Sequence, residues 1–439
     1  MKRFICLLAI GSFFICSNIA NAQNGDSLLQ QASLQACVQY ALTHQPAIKQ
    51  SLIDEQITER IIKGKLADWY PQIFLDYNLQ HYFRLQTFVF AGNTVTAGSK
   101  NTSFANFSLT QNIFNKDVLL ASRSAQDVRK QSQQATTNNK IDLAANVSKA
   151  FYDVLLNQQQ IRLVDSDIVL LQKSLDIALS QYRGGIVDKV DYKRATITLN
   201  NAKARRKVLV EQIKGKYAYL KELMGYPSDA DLNLYYDSVQ MQQDAFIDTT
   251  QTVNYENRIE YQLLQTQKRL QEANLKYYKW AYIPSLSAFG SYNLNFLNNE
   301  FGKLYDHNYP TSYAGLTLSF PIFQGTKRTQ EIKQAQLELQ RVDYDIFAFK
   351  NSVNTQYQQA MAAYKSSLNN YNVLNENLAL AGDVFNTIQV QYKAGVKTYL
   401  DVIVSENDLI SAQVNYLEAL YQVLSSKVDV QRALGQINY

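Results

Sequence analysis

Apolar residues recur at steps of three and four over two long stretches of the chain. Ile161, Val164, Ile168, Leu171, Leu175, Ala178 and Tyr182 form one series. Tyr371, Leu374, Leu378, Ala381, Phe385, Ile388 and Tyr392 form the other, each 210 positions later. Such spacing keeps one stripe of a helix apolar, and sustained heptads of this kind mark coiled packing of neighbouring helices. Both series run into similar stretches, Gln181 to Asp191 and Gln391 to Asp401. In each, a tyrosine is followed by a glycine turn (Gly184 and Gly185; Gly395) and then by a second helical run opened by an aspartate (Asp191; Asp401). The chain is two copies of one unit, and these stretches, at 183–188 and 393–398, are the tips of two long helical hairpins.

Elsewhere the period falls to two, as in strands. Four such segments stand near 72–84, 103–113, 285–297 and 313–320, the first and third each preceded by a helix that ends at a proline, Pro71 or Pro284. Ile73, Leu75 and Tyr77 alternate with Gln72, Asp76 and Asn78, and Leu286, Tyr292 and Leu294 with Ser287, Ser291 and Asn293; Leu316 and Leu318 continue the pattern. Phe74, Phe289 and Gly290 interrupt it. A polar loop is expected from about Leu85 to Asn101. From Lys116 to Tyr182 there is no glycine or proline, so one helix about 100 Å long is expected there at 1.5 Å per residue. Return helices follow each tip, from about Val190 to Met224 and from about Leu400 to Leu434, stopped by Gly225 and Gly435. The units are residues 23–227 and 255–439, joined by a polar, acidic connector at 228–254.

Composition sharpens the strand reading. The polar faces carry Ser, Thr, Asn and Gln where a solvated sheet normally shows charges, and the chain has 30 tyrosines and 20 phenylalanines. That suits an outer-membrane barrel with a watery lumen, with Ile73, Leu75, Tyr77, Leu286, Tyr292, Leu294, Leu316 and Leu318 facing lipid. Four strands cannot close a barrel, so subunits must pool them: a dimer would supply eight and a trimer twelve. Residues 1–22 read as a secretory signal, with Lys2 and Arg3, an apolar core, and Ala20-Asn21-Ala22 before the cut. Only Cys37 remains after it, placed as a buried small hydrophobe. The net charge of +5 includes no basic run, so nucleic acid is not expected as a partner. Three histidines without ligand spacing, and no phosphate loop, nucleophile elbow or CxxC, argue against catalysis, metal or cofactor.

Two repeats of helix, proline-bounded strand, strand, long helix, glycine tip and return helix, with Tyr392-Lys-Ala-Gly-Val-Lys-Thr-Tyr-Leu-Asp401 at the second tip, resemble the TolC-like outer-membrane efflux proteins. The resemblance implies a mainly α fold with membrane β: a homotrimer whose 12-strand β-barrel continues into a 12-helix periplasmic α-barrel, with the connector at its equator. It implies a passive conduit in the outer membrane, gated at the tips, docked there by a periplasmic adaptor and powered by an inner-membrane transporter. Gly184, Gly185, Ile186, Val187, Gly395 and Val396 are the adaptor-facing tips. Asp191 of one hairpin is expected to hold Tyr392 and Lys397 of the other, with Asp401 ringing the aperture. Val404 stands where better-known members carry a second aspartate, so the resemblance does not extend to a double acidic ring. A periplasmic adaptor would have one hairpin rather than two, and a secreted structural coiled coil would not be extracted with the outer membrane as a trimer.

Overall fold

The first copy opens on two helices, α1 (Leu34–His44) and α2 (Pro46–Leu66). Ser33 caps α1 by accepting the Ala36 N–H at 3.3 Å. Pro46 occupies the first turn of α2, where its missing N–H has no partner to lose. In this computed structural model, which describes Leu29 and residues 31–236 and 238–437, the expected leader lies outside the described residues. Then come β1 (Gln72–His81), β2 (Gln86–Phe90), β3 (Asn93–Ala97), β4 (Asn101–Phe114), α3 (Lys116–Arg183), α4 (Lys189–Met224) and α5 (Ser238–Asp244). The second copy supplies α6 (Ile259–Lys279), β5 (Ser285–Asn298), β6 (Thr311–Ser319), α7 (Lys327–Lys393) and α8 (Tyr399–Leu434). The long helices α3 and α7 have 68 and 67 residues, about 100 Å each. Among the described residues no helix is long and apolar enough to cross a membrane.

The strands form one antiparallel sheet in the order β1-β4-β5-β6, so the two copies meet where β4 pairs with β5. Its register carries one row from Tyr77 through Ala105 to Leu294, and another from Leu75 through Phe107 and Tyr292 to Ser312. Ile73, Leu75, Tyr77, Leu286, Tyr292, Leu294, Leu316 and Leu318 thereby share one face. Asn101 ties the outer end of the sheet: its amide nitrogen donates to the Asn298 and Asn299 carbonyls at 3.2 Å, and its oxygen lies 2.6 Å from His81 Nδ1.

The segment expected as a polar loop from Leu85 to Asn101 is instead a second hairpin, β2 with β3. Ala91 and Gly92, both at positive φ (50° and 80°), turn it, which matches the right-handed strand twist. The Ala-Gly pair lacks the Asn-Gly or Asp-Gly signature that marks such turns, which is why the pattern alone reads as loop.

The largest apolar core lies where α1, α3, α4, α7 and α8 cross beside the connector, around the fully buried Phe151, Leu220, Met224, Tyr364 and Val423. Cys37 is part of it, and burial pushes its thiol up to about 12. The connector is folded onto this core, α5 included: Tyr364 OH donates to the Ala245 carbonyl at 2.9 Å and accepts the Ile247 N–H at 3.0 Å.

The return helices end alike in the two copies. Gly225 (φ 64°) and Gly435 (φ 71°) are left-handed caps, and a Cβ on either would come 2.9 Å from a backbone oxygen, of His44 or Asn257. Each copy thus anchors its last helix on the turn before its short helix. Gly225→Ala and Gly435→Ala combine backbone strain with that close approach and should each destabilise the protein by about 1 to 3 kcal/mol. The apparent Tm of the detergent-extracted protein should fall for both. Gly215→Ala, in mid-helix with nothing near its Cβ position, should leave it unchanged or raise it.

Candidate functional site

Both hairpin tips close by the same backbone geometry. At the first, the Gly185 N–H reaches the Tyr182 carbonyl at 3.0 Å and the Ile186 N–H reaches Gln181 at 2.9 Å. At the second, Gly395 bonds Tyr392 at 3.0 Å and Val396 bonds Gln391 at 2.9 Å. These are paired Schellman caps with a left-handed residue at their centre, Gly185 (φ 73°) and Gly395 (φ 77°). Gly184 is different from what its sequence position suggests: it has ordinary right-handed geometry (φ −78°), and its counterpart is Ala394.

The return helices start on side-chain caps. Asp188, not Asp191, caps α4 by accepting the Val190 N–H at 3.2 Å. Thr398 and Asp401 form a reciprocal capping box on α8, in which the Asp401 carboxylate takes the Thr398 N–H at 2.9 Å and its hydroxyl at 2.8 Å. Those two bonds, assisted by the Lys397 charge, hold the Asp401 carboxyl below its ordinary range. Asp401 is committed to the cap.

Tyr392 and Lys397 have partners other than Asp191 within the chain. The Tyr392 hydroxyl donates to Gln181 Oε1 on the facing hairpin, and Lys397 Nζ lies 4.0 Å from Asp401 Oδ1 on its own hairpin. Burial pushes the Tyr392 phenol up, the Gln181 bond opposes this and the Asp191 charge adds to it. Within one chain, then, Gln181 meets the phenol and the capping carboxylate of Asp401 meets the ammonium, and the contacts expected of Asp191 are not among them. Behind them Ala178, Ala195, Tyr399 and Ile403 form a small buried cluster between the hairpins.

Apolar side chains are exposed at this end too. Ile186 is 74% exposed and Val396 72%, and Val187 is half-buried. Val190, Val390, Leu400 and Val404 are exposed as well. On helical spacing alone these four look like any other apolar positions of a stripe, and only the structure shows that nothing in the chain covers them.

A pair of carboxyls escaped the sequence reading. Asp167 on α3 and Glu406 on α8 are 7% and 2% exposed at the seam between the hairpins, and each has one carboxyl oxygen without a hydrogen-bond partner. Both sit in apolar rows, Asp167 between Val164 and Leu171 and Glu406 between Val402 and Leu409; a carboxylate inside such a row was the available signal. Burial pushes Asp167 up to about 6 despite the opposing charge of Arg205. Burial, with the Asp167 charge added, pushes Glu406 up to about 7. Both values rise on folding, so the folded chain binds more protons than the unfolded one from the ordinary carboxylate range up to about 7. The seam therefore loses stability as pH rises through that window. Circular dichroism should give a higher apparent Tm at pH 5 than at pH 8, and Glu406→Gln should raise the pH 8 value and narrow the difference. A Tm that climbs with pH would contradict the assignment.

Residues 37–226 and 256–436, one stretch from each copy, match the family model described as outer membrane efflux protein. Outer membrane protein TolC of Escherichia coli K12 is 22% identical over 462 residues, spanning all of this chain and 87% of that protein. The structure of VceC from Vibrio cholerae superposes with a TM-score of 0.72 at 13% identity, covering 92% of this chain and 96% of that one. The open state of the MtrE channel of Neisseria gonorrhoeae gives 0.71 at 18% identity, covering 92% and 88%. The duplicated hairpins and the four-stranded sheet between them are shared along nearly the whole length, and the chain belongs to the outer membrane efflux protein family.

Proposed function

We infer that the protein is the outer-membrane channel-tunnel of a tripartite efflux or export system, a passive conduit and not a catalyst. The observation that carries this reading is the sheet: four strands, apolar on one face and polar on the other, with β1 and β6 left as unpaired edges beside helices about 100 Å long. Three copies joined edge to edge make a twelve-stranded barrel with the apolar face toward lipid and the polar face around a lumen. The helical hairpins then extend the passage through the periplasm.

The tips are the proposed contact with the rest of the system. Ile186, Val187 and Val396, presented by the turns at Gly184, Gly185 and Gly395, offer apolar surface to a periplasmic adaptor, through which an inner-membrane transporter acts. The gate lies just behind. Tyr392 bound to Gln181 holds one hairpin to the other within a subunit. Asp191, whose charge is felt at the Tyr392 and Tyr399 phenols, and Lys397 remain candidates for contacts between subunits, with Asp401 at the aperture. An exposed ion pair is worth about 0 to 1 kcal/mol, and repetition three times over suits a gate that a docked partner must open.

Substitutions at the two ends should fail differently. Leu294→Arg puts a charge on the lipid face and costs about 2 to 4 kcal/mol near mid-membrane, so the level of protein in the outer membrane should fall, whereas Asn293→Arg on the opposite face should leave it normal. Ile186→Trp should keep the membrane level normal and abolish export. Equal membrane levels for the two arginine variants would overturn the barrel, and unimpaired export by the tip variant would overturn docking there.

A further inference from the structure

The two phenylalanines that interrupt the strand alternation lie on the polar face, in adjacent rows. The register sets Phe74 opposite Ser108, Ser108 opposite Ser291 and Ser291 opposite Tyr313, so Phe74 and Tyr313 end one row across the sheet. Phe289 lies in the adjacent row, opposite Gly315. Its ring covers that glycine so closely that a Cβ there would stand 2.7 Å from the ring tip, and it meets the Tyr313 ring edge-on, centroids 6.1 Å apart. Phe74 and Tyr313 are 55% and 58% exposed. Neither ring is needed to fill a core on that side of the sheet.

The next row on the same face runs Asp76, Asn106, Asn293 and Thr311. Asp76 is the only Asp, Glu, Lys or Arg on the four strands, and it follows Phe74 by two residues on one face, about 7 Å along the strand. Because β1 and β6 are the open edges, joining copies brings an edge that carries Phe74 and Asp76 beside an edge that carries Tyr313. Phe104 stands on the same face in the row beyond Asp76, between Asn78 and Asn295. The result is a band in which aromatic rings flank carboxylates, in a wall that apart from Gly315 and Leu297 otherwise carries hydroxyls and amides.

We propose that this band is a retention site inside the channel for cationic solutes with a flat aromatic body. The inference rests on the channel reading. The rings offer stacking and cation–π faces, while Asp76 supplies the one fixed charge. The hydroxyls and amides that make up most of the remaining wall give a passing solute hydrogen bonds no better than water does, so selectivity arises where the rings, Phe104 included, and the carboxylates coincide. Anions of similar shape meet the same rings with the wrong charge beside them.

Full-length protein reconstituted in planar bilayers tests this, with ethidium added on the side of the barrel. The potassium chloride conductance recorded before any addition reads the channel function on its own. Ethidium should block at a concentration about tenfold or more below that of tetramethylammonium, which lacks the aromatic body, and of 1-naphthalenesulfonate, which has the opposite charge. The Phe74→Ala/Phe289→Ala double variant should raise the half-blocking concentration of ethidium about tenfold and leave that of tetramethylammonium unchanged. Phe74→Ala alone, at an exposed edge-strand position that the sheet does not need for packing, should move it in the same direction, and Asp76→Asn should weaken ethidium block without creating block by the naphthalenesulfonate. Equal block by ethidium and tetramethylammonium, or unchanged ethidium block in both phenylalanine variants, would overturn the proposal.

Discussion

Inside a bilayer there is no water to bond a free backbone N–H or C=O, so a strand that crosses one must be paired along both sides. Here β4 and β5 meet that condition within the chain, while β1 and β6 are each paired along one side only. The chain supplies the apolar face and the polar face of a membrane wall but not its closure, and closure has to come from further copies. The two repeats meet at the β4–β5 pairing, so a break in the ladder between them would split the sheet into two hairpins, each marginal by itself.

The helical half obeys a different constraint. The helices of 68 and 67 residues each end where the backbone turns left-handed at a single glycine, Gly185 or Gly395. The tyrosine and glutamine carbonyls that receive the turn's N–H groups lie in the last turn of each long helix. Near the tips the contacts between the hairpins are modest: one Tyr392–Gln181 hydrogen bond, a small apolar cluster, and above it a buried carboxyl pair whose pKa values burial raises. Farther from the tips the hairpins are tied firmly, by the large apolar core and by the Lys149–Asp429 and Arg432–Asp142 ion pairs between α3 and α8. A seam built so is fixed at its far end and more easily shifted at the tips, which suits a tunnel whose tips have to part.

Much of this was legible in the residues. Long helical runs without glycine or proline declare themselves, and the helix read from Lys116 to Tyr182 spans Lys116–Arg183 in the structure. Alternation placed the eight apolar strand residues on one face because a period of two leaves no freedom once the register is set. Side-chain partners were less legible. Asp191 and Asp401 occupy matched positions, yet only Asp401 takes part in a cap, since Thr398 offers the reciprocal hydroxyl and Asp188 does that work in the first copy. The β2–β3 hairpin was missed because Ala91 takes a positive φ that its residue type does not announce. The carboxyl pair was missed because burial between two hairpins distant in sequence is a tertiary fact.

The closure of the barrel by three chains is most directly tested by cross-linking its two open edges. Cys37 is buried, so a cysteine fixed at Ile73 on β1 can be combined with a second one scanned through the same face of β6, from Ser312 to Leu318, and oxidised in isolated outer membranes. A ring joined edge to edge predicts, at the matching register, a covalent ladder of one, two and three chains that stops at three. A ladder that ends at two chains, continues past three, or never forms at any position would contradict it.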